Sequence, residues 1–172
     1  MIAPMEYGLL LLRIVVGLLV AGHGSQKLFG WFGGGGPQGT GAFFSSLGYR
    51  MPAAVALVAG LSELGGGLLL AAGFLTPLAS LLLAIVMLNA IVTVVWPKGL
   101  LGGYELELTL LTVAIALAAT GPGEISLDDA IGWADDITGI AWASLVLAAA
   151  IVVSLITTTL GRGRADLDEI PG

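Results

Sequence analysis

The sequence predicts an all-α integral membrane protein, a helical bundle of four core transmembrane helices followed by a fifth, C-terminal one. Hydrophobic residues make up 57% of its 172 residues, and its mean hydropathy is +1.01. Only 10% of the residues are charged, against about 25% in an ordinary soluble domain. A soluble core of this size cannot bury so much apolar surface, so lipid is expected to solvate it.

Five segments each approach the roughly 20 mostly apolar residues that a spanning helix needs. They cover residues 8–29, 52–75, 77–96, 104–120 and 139–160. Proline and glycine punctuate them: Pro52 suits the first turn of a helix, and Pro97 ends the third segment. The first apolar run has no basic residues before it and no small-residue cleavage site after it. We therefore interpret it as a retained helix rather than a signal peptide.

The chain divides into two parts by this pattern. Residues 1–129 form a four-helix membrane domain, and residues 130–172 contain the end of an acidic loop, the extra helix and a short charged tail. Within the first long connection, residues 40–47 are compatible with two alternatives, a short interfacial helix or a flexible surface loop.

Charge predicts the orientation of the five spans. One side carries every Lys and Arg of the connecting segments and tail, namely Lys27, Arg50, Lys98, Arg162 and Arg164. The other side carries only acidic residues, namely Glu6, Glu124, Asp128, Asp129, Asp135 and Asp136. Positive loops remain in the cytoplasm, so we expect a multi-pass protein of the cell (plasma) membrane, with its N-terminus outside and its C-terminus cytoplasmic. The acidic 124–136 stretch is interpreted as a solvated loop, with an external interaction surface as the alternative.

Composition also excludes several chemistries. The chain has no cysteine and one histidine, which excludes disulfides, iron–sulfur clusters, covalent c-type haem and a bis-histidine haem within one chain. A single histidine and dispersed carboxylates do not make a metal site. The net charge of −6 argues against a nucleic-acid partner, which would require a basic surface.

The first two predicted helices carry ionisable residues at membrane depth, where such groups face a protein interior or a cavity. Arg13, His23 and Lys27 fall within an arc of roughly 80° on the first helix. Glu63 lies near the centre of the second helix, among small residues that allow a neighbouring helix to approach closely. By depth, Arg13 is the predicted partner of Glu63.

The third and fourth predicted helices add further polar residues. Asn89 lies near mid-depth of the third. Glu105 shares a helix face with Thr109 and Thr112, so it is predicted to point into the bundle. Glu107 lies about 200° away and is predicted to reach the headgroup region.

These polar residues have two interpretations. They are structural pairs that hold the helices together, or they line a pocket or proton-handling site open to the cytoplasmic side. Under the second interpretation the candidate catalytic residues are Glu63, His23 and Glu105, and the candidate cofactor-binding residues are Arg13, Lys27 and Asn89.

Several motifs occur in a fixed order along the chain: 13-RIVVG-17, 21-AGHGSQKLFG-30, 41-GAFF-44, 60-GLSELGG-66, 73-GFLTP-77, 96-WP-97, 102-GGYE-105, and 121-GPG-123 followed by 126-SLD-128. In this order and spacing, residues 8–129 resemble the DoxX family of small membrane proteins. The resemblance implies a four-helix membrane bundle, from which the helix beginning at Gly139 departs. It also implies that Arg13, His23, Lys27, Glu63 and Glu105 match the family's polar positions.

Some members of that family are subunits of a membrane-bound thiosulfate:quinone oxidoreductase. The resemblance thus implies a redox subunit that reduces quinone with electrons from thiosulfate or a related sulfur compound. Quinone is the candidate cofactor, the expected partners are the lipid bilayer and other membrane or soluble redox subunits, and a homo-oligomer is left open. A non-catalytic anchoring or assembly subunit is the alternative. A small transporter ranks third, because the sequence has no internal repeat.

Overall fold

A computed structural model describes residues 3–163, and within them five helices are long and apolar enough to span a membrane, as predicted. The α-helices are α1 (Pro4–Phe29), α2 (Gly36–Ser46), α3 (Pro52–Ala72), α4 (Thr76–Ala90), α5 (Glu105–Thr120), α6 (Leu127–Ala130) and α7 (Ile140–Thr159). α4 continues through a wider π-helical turn, Ile91–Val95, and a 3₁₀ turn, Trp96–Lys98. The described residues contain no β-strand, only an isolated antiparallel bridge between Tyr49 and Arg162. The chain is therefore an all-α, multi-pass membrane protein.

The helix bounds follow local sequence signals. Proline occupies the first turn of α1, α2, α3 and α4, where its missing N–H is not needed. α1 begins four residues before the predicted start of residue 8, at Pro4. The helical alternative for residues 40–47 is the one that forms, although α2 starts earlier, at Gly36.

α1 and α3 pack closely through glycines seven residues apart on each helix. Gly17 lies against Gly67, and Gly24 lies against Gly60. A methyl group on Gly17 would lie 2.5 Å from the carbonyl oxygen of Gly67, closer than any van der Waals contact allows. The predicted use of small residues for close helix approach is confirmed.

The apolar core lies toward the acidic end of the bundle. Val20, Leu70, Leu83 and Leu117, from α1, α3, α4 and α5, are almost fully buried together there. α7 packs outside this group against α4 and α5, through a second cluster of mostly small side chains. A cavity lies nearer the other, basic end, and Met87 and Leu110 of the core also line it.

The acidic loop is partly built into the fold, so its interpretation as a solvated loop is wrong for Asp128. This carboxylate is fully buried and accepts hydrogen bonds from the backbone N–H of Leu75 (2.8 Å), the N–H of Thr76 (3.0 Å) and the Thr76 hydroxyl (2.7 Å). Leu75 has φ 48°, a left-handed conformation that is costly for a branched side chain. Asp128 therefore caps α4 and holds the strained α3–α4 turn.

The basic end is closed by the segment that follows α7. The Arg162 side chain donates through Nε to the carbonyl of Leu47 (2.8 Å), and the Arg50 N–H donates to the carbonyl of Gly161 (3.0 Å). α7 therefore crosses the whole bundle and ends beside the α2–α3 connection. The predicted basic residue Arg164 lies outside the described residues.

Candidate functional site

A cavity of about 580 Å³ lies between the helices near the basic end. α1, the α2–α3 region, α3, α4, α5 and the end of α7 all contribute to its wall. Most lining side chains are apolar, among them Val55, Val58 and Met87. A mostly apolar cavity with a few polar groups is the usual form of a small-molecule site.

An ion pair between Lys27 and Glu63 lies in the cavity wall. Nζ of Lys27 donates to Oε1 of Glu63. The Glu63 side chain is 4% exposed and that of Lys27 27% exposed. The second oxygen of Glu63, Oε2, is buried and has no hydrogen-bond partner within residues 3–163. One carboxylate oxygen is thus satisfied by the protein, and the other is sealed from solvent without a donor among the described residues.

The predicted pairing of Glu63 with Arg13 is wrong, and helix geometry explains why. Because Gly17 is level with Gly67 and Gly24 with Gly60, Glu63 is level with Ala21 of α1. Lys27 is six residues from that level, about 9 Å, and Arg13 is eight residues from it, about 12 Å. Side chains also lean toward the N-terminus of their own helix. In this antiparallel pair Lys27 and Glu63 lean toward each other, whereas Arg13 leans away.

Arg13 lies outside the cavity, among the loops of the acidic end. It is fully buried, and Nη2 donates to the carbonyl of Ile125. The same loop is joined to α1 a second time, because the Glu124 N–H donates to a carboxylate oxygen of Glu6 at 2.7 Å. Gly73 faces the Arg13 guanidinium, and any side chain there would collide with it. Arg13, predicted as a cofactor-binding residue, occupies a structural position in this fold.

Asn89 lies in the cavity wall, as its prediction as a binding residue requires. Its amide also forms hydrogen bonds with two residues of α7. Nδ2 donates to Oγ of Ser154 (3.1 Å) and to the carbonyl of Ile85 (2.9 Å), and Oδ1 accepts from the hydroxyl of Thr157 (2.7 Å). The π-helical turn begins two residues later, at Ile91, and such turns are frequent at functional sites.

His23 lines the same cavity and also a smaller groove of about 290 Å³ on the outer side of α1. Its Nδ1 lies 3.1 Å from Oε1 of Gln26. The imidazole therefore lies between the cavity and the groove. Its Nδ1 is hydrogen-bonded to Gln26 of the same helix, and its Nε2 has no hydrogen bond to the described part of the chain.

The predicted positions of the two glutamates of α5 are wrong, because Glu107 and not Glu105 faces the bundle interior. Glu105 is exposed and accepts from the N–H of Gly103 at 3.2 Å. Glu107 lines the cavity, and its Oε2 is buried without a partner in the described residues. The threonines misled the prediction, because Thr109 and Thr112 donate to carbonyls of their own helix. They are satisfied without facing the bundle interior.

The burial pattern of α5 in the structure explains why Glu107, and not Glu105, faces inward. The buried residues of this helix are Leu110, Ala114, Leu117 and Ala118. Glu107 precedes Leu110 by three residues and Ala114 by seven, which places it on the same stripe. Arg50, predicted only as a loop charge, is a further cavity residue that the sequence did not reveal; it is exposed at the rim.

Four of the six predicted site residues line the cavity, namely His23, Lys27, Glu63 and Asn89. The other two, Arg13 and Glu105, lie outside it. Among residues 3–163, no three His, Asp or Glu side chains come together in a way that could hold a metal ion.

Comparison with known proteins gives the chain a family. The DoxX family model matches residues 8–96, which include most of α1, all of α2 to α4 and the polar residues Lys27, Glu63 and Asn89. The Bacillus subtilis (strain 168) protein named "Putative oxidoreductase CatD" is 36% identical over 123 residues, which covers 72% of this chain and 86% of that protein. No solved structure matches the chain. With more than half of its residues matched by the family model, the chain belongs to the DoxX family.

Proposed function

We propose that the chain is a quinone-handling subunit of a membrane redox complex. The observation that carries this proposal is the mostly apolar cavity of about 580 Å³ with the buried Lys27–Glu63 pair in its wall. A quinone requires an apolar slot for its ring and tail, together with polar groups that bind its two oxygens. Lys27 and His23 are the polar groups available for this purpose, because both N–H groups of the Asn89 amide already donate within the protein.

Proton handling is the second part of the proposal, since quinone reduction adds protons as well as electrons. Glu63 and Glu107 both line the cavity, and each has a buried carboxylate oxygen without a hydrogen-bond partner in the described residues. His23 lines the same cavity, and an imidazole ring has one nitrogen that can donate a proton and one that can accept it. We assign the proton relay to Glu63, Glu107 and His23, in place of the set predicted with Glu105.

The electrons have to come from outside this chain's own side chains. It has no cysteine, so thiol redox chemistry is not open to it. A bound cofactor or a second subunit must supply the electron transfer. The relative named as an oxidoreductase supports a redox role, and we keep thiosulfate or a related sulfur compound as the proposed electron donor.

We further propose that the protein lies in the plasma membrane with its basic end in the cytoplasm. The absence of cysteine from the sequence makes this simple to test. Single cysteines at Ser46 and Asp135 mark opposite ends of the bundle. In intact cells a membrane-impermeant maleimide should label the cysteine at Asp135 and not the one at Ser46, and the reverse pattern would contradict the orientation.

The main test is quinone binding and thiosulfate-dependent quinone reduction by the purified protein in mild detergent. Lys27→Met should lower quinone affinity and any activity at least ~tenfold, the size expected when a quinone carbonyl loses a hydrogen bond from a charged group. Lys98→Met is the matched control, because that side chain is exposed and lies outside the cavity. Absence of quinone binding in the unmodified protein would contradict the proposal and favour the anchoring subunit.

A further inference from the structure

We propose that the cavity opens sideways into the lipid between α3 and α7, and that it takes a quinone with a long apolar tail. The head group lies inside the cavity, and the tail passes out through this side opening. The inference rests on the proposed function and adds the class of quinone and the route by which it enters. The side opening is bounded by four cavity-lining residues, Ala54 and Val58 of α3, Thr157 of α7, and Leu160 directly after α7.

The packing of the helices leaves this side of the cavity uncovered. α3 packs against α1, α2 and α4, whereas α7 packs against α4 and α5. Within residues 3–163, α3 and α7 have no extensive contact with each other, although both contribute residues to the cavity wall. The cavity is therefore backed by α4 and is open between α3 and α7.

Exposed side chains mark the place where the cavity meets the outer surface. Val58 lines the cavity and is nevertheless 63% exposed, and Leu160 lines it and is 69% exposed. Leu61, nearly one turn further along α3, is 53% exposed but lies outside the cavity, on the apolar outer surface of this spanning helix. Val58 is six residues from the start of α3 at Pro52, which is about 9 Å along the helix. The edge of the cavity on α3 is thus at membrane depth.

The chain itself closes the side opening toward the aqueous phase at the basic end. Directly after α7, the carbonyl of Gly161 accepts from the N–H of Arg50 (3.0 Å), and the N–H of Gly163 donates to the carbonyl of Gly48 (2.8 Å). These bonds join the segment after α7 to the α2–α3 connection. The side opening therefore leads into lipid, and a ligand that uses it has to be dissolved in the membrane.

Polar and apolar groups are separated within the cavity, as they are in a quinone with a tail. The ionisable groups Lys27, Glu63 and Glu107 come from α1, from the side of α3 that faces α1, and from α5. Around α3, Val58 and Glu63 are about 140° apart. The four residues that bound the side opening carry no ionisable group. A bound quinone would thus direct its ring toward Lys27 and its tail toward the side opening.

The size of the cavity agrees with this arrangement. Its volume of about 580 Å³ lies within the range of roughly 300–1,000 Å³ that is typical of sites for drug-sized molecules. A head group and the beginning of a tail fit this volume, whereas a long tail exceeds it. Because apolar chains are unfavourable in water, the rest of the tail has to leave through an apolar opening at membrane depth.

The first experiment tests the side opening without any ligand. Because the chain has no cysteine, a single nitroxide label can be attached to Val58→Cys in the full chain, reconstituted in phosphatidylcholine liposomes. Electron paramagnetic resonance then compares its accessibility to oxygen, which concentrates in lipid, and to a water-soluble nickel chelate. We expect oxygen to dominate at this position, as at Leu61→Cys, and the nickel chelate to dominate at Ser46→Cys. Dominant access of the nickel chelate at Val58→Cys would overturn the opening into lipid and leave the proposed function standing.

The second experiment tests the place of the tail. Decylplastoquinone and trimethylbenzoquinone share a ring and differ only in the replacement of the decyl tail by a methyl group. In calorimetric titrations in mild detergent, Val58→Trp should lower the affinity for decylplastoquinone at least ~tenfold, because the larger side chain fills the space of the tail. Affinity for trimethylbenzoquinone should stay unchanged. Leu61→Trp is the matched control, since it adds the same side chain outside the cavity, and it should change neither affinity.

The outcomes separate the inference from the proposed function. An equal loss of affinity for both quinones in Val58→Trp, or no loss for either, would overturn the placement of the tail in the side opening. If the unmodified protein binds neither quinone, the proposed function is wrong and so is the quinone as occupant. The accessibility of the label at Val58→Cys still decides in that case whether the cavity opens into lipid.

Discussion

Asn89 on α4 and Thr157 on α7 are joined by a 2.7 Å hydrogen bond, in which the threonine hydroxyl donates to the amide oxygen. The amide nitrogen of Asn89 donates in turn to Ser154, also on α7. α7 lies beyond residue 96, where the family match ends, yet it contributes part of the cavity wall. A helix outside the matched region is thus attached through a residue that lines the cavity.

Removal of the hydrogen bond between Thr157 and Asn89 should weaken the packing of α7 against α4 and lower the stability of the protein. Thr157→Val should lower the free energy of unfolding by about 0.6 kcal/mol, the average for polar contacts between membrane helices. Asn89→Leu should lower it by about 1 kcal/mol, because two interhelical bonds are lost. Denaturant unfolding in detergent measures both values. Thr159→Val is the control, since that exposed hydroxyl binds the carbonyl of Leu155 within α7; a double-mutant cycle without coupling between Asn89 and Thr157 would contradict the bond.

The glycine contacts between α1 and α3 predict that alanine substitutions at two glycines of α1, Gly17 and Gly22, differ sharply in their effect on stability. Gly17→Ala should destabilise the protein by about 1–3 kcal/mol, because the added methyl group overlaps the α3 backbone and forces the helices apart. Gly22→Ala is the matched control on the same helix, where nothing lies within 4 Å of the new methyl group. Thermal unfolding followed by circular dichroism compares them, and similar melting temperatures for the two variants would count against the helix packing.

The transmembrane helices could be predicted from the sequence because hydropathy and proline placement act locally. The partners in the site could not be predicted in the same way. A helical wheel gives the angle between Glu105 and Glu107 but not which of them faces inward. The threonines near Glu105 looked like an inward polar face, although each is satisfied by its own helix.

The choice between Arg13 and Lys27 required the vertical register of two helices, which depends on tertiary packing. Only when Gly17 is placed against Gly67 does Glu63 come level with residue 21. The glycines seven residues apart were visible in the sequence, but their pairing across helices was not. Register is therefore the information that the sequence pattern lacked.

Asp128 should stabilise the protein far more than the adjacent Asp129. Asp128→Ala removes three hydrogen bonds at the start of α4, and loss of a helix cap alone costs about 0.5–2 kcal/mol. The strained conformation of Leu75 loses its support in the same variant. Asp129 has an exposed side chain, so Asp129→Ala should change the unfolding free energy by less than about 0.5 kcal/mol. Equal destabilisation by the two variants, measured by chemical unfolding in detergent, would show that the cap is not formed.

The Lys27–Glu63 pair predicts that stability and ligand binding respond differently to the same changes. Glu63→Gln alone leaves the Lys27 ammonium without its partner, and breaking a buried ion pair costs about 3–5 kcal/mol; partial exposure of Lys27, at 27%, should bring the loss to the lower end of that range. Lys27→Met combined with Glu63→Gln removes both charges, so it should recover most of the stability.

Ligand binding should not recover in the double variant, since the Lys27 ammonium that donates to the quinone oxygens is gone. Thermal unfolding and quinone titration of the same three proteins measure the two properties separately. Recovery of both in the double variant would mean that the pair only holds α1 and α3 together. Recovery of stability alone identifies the pair as a binding element, because a purely structural pair cannot be removed with its stability restored and its ligand affinity still lost.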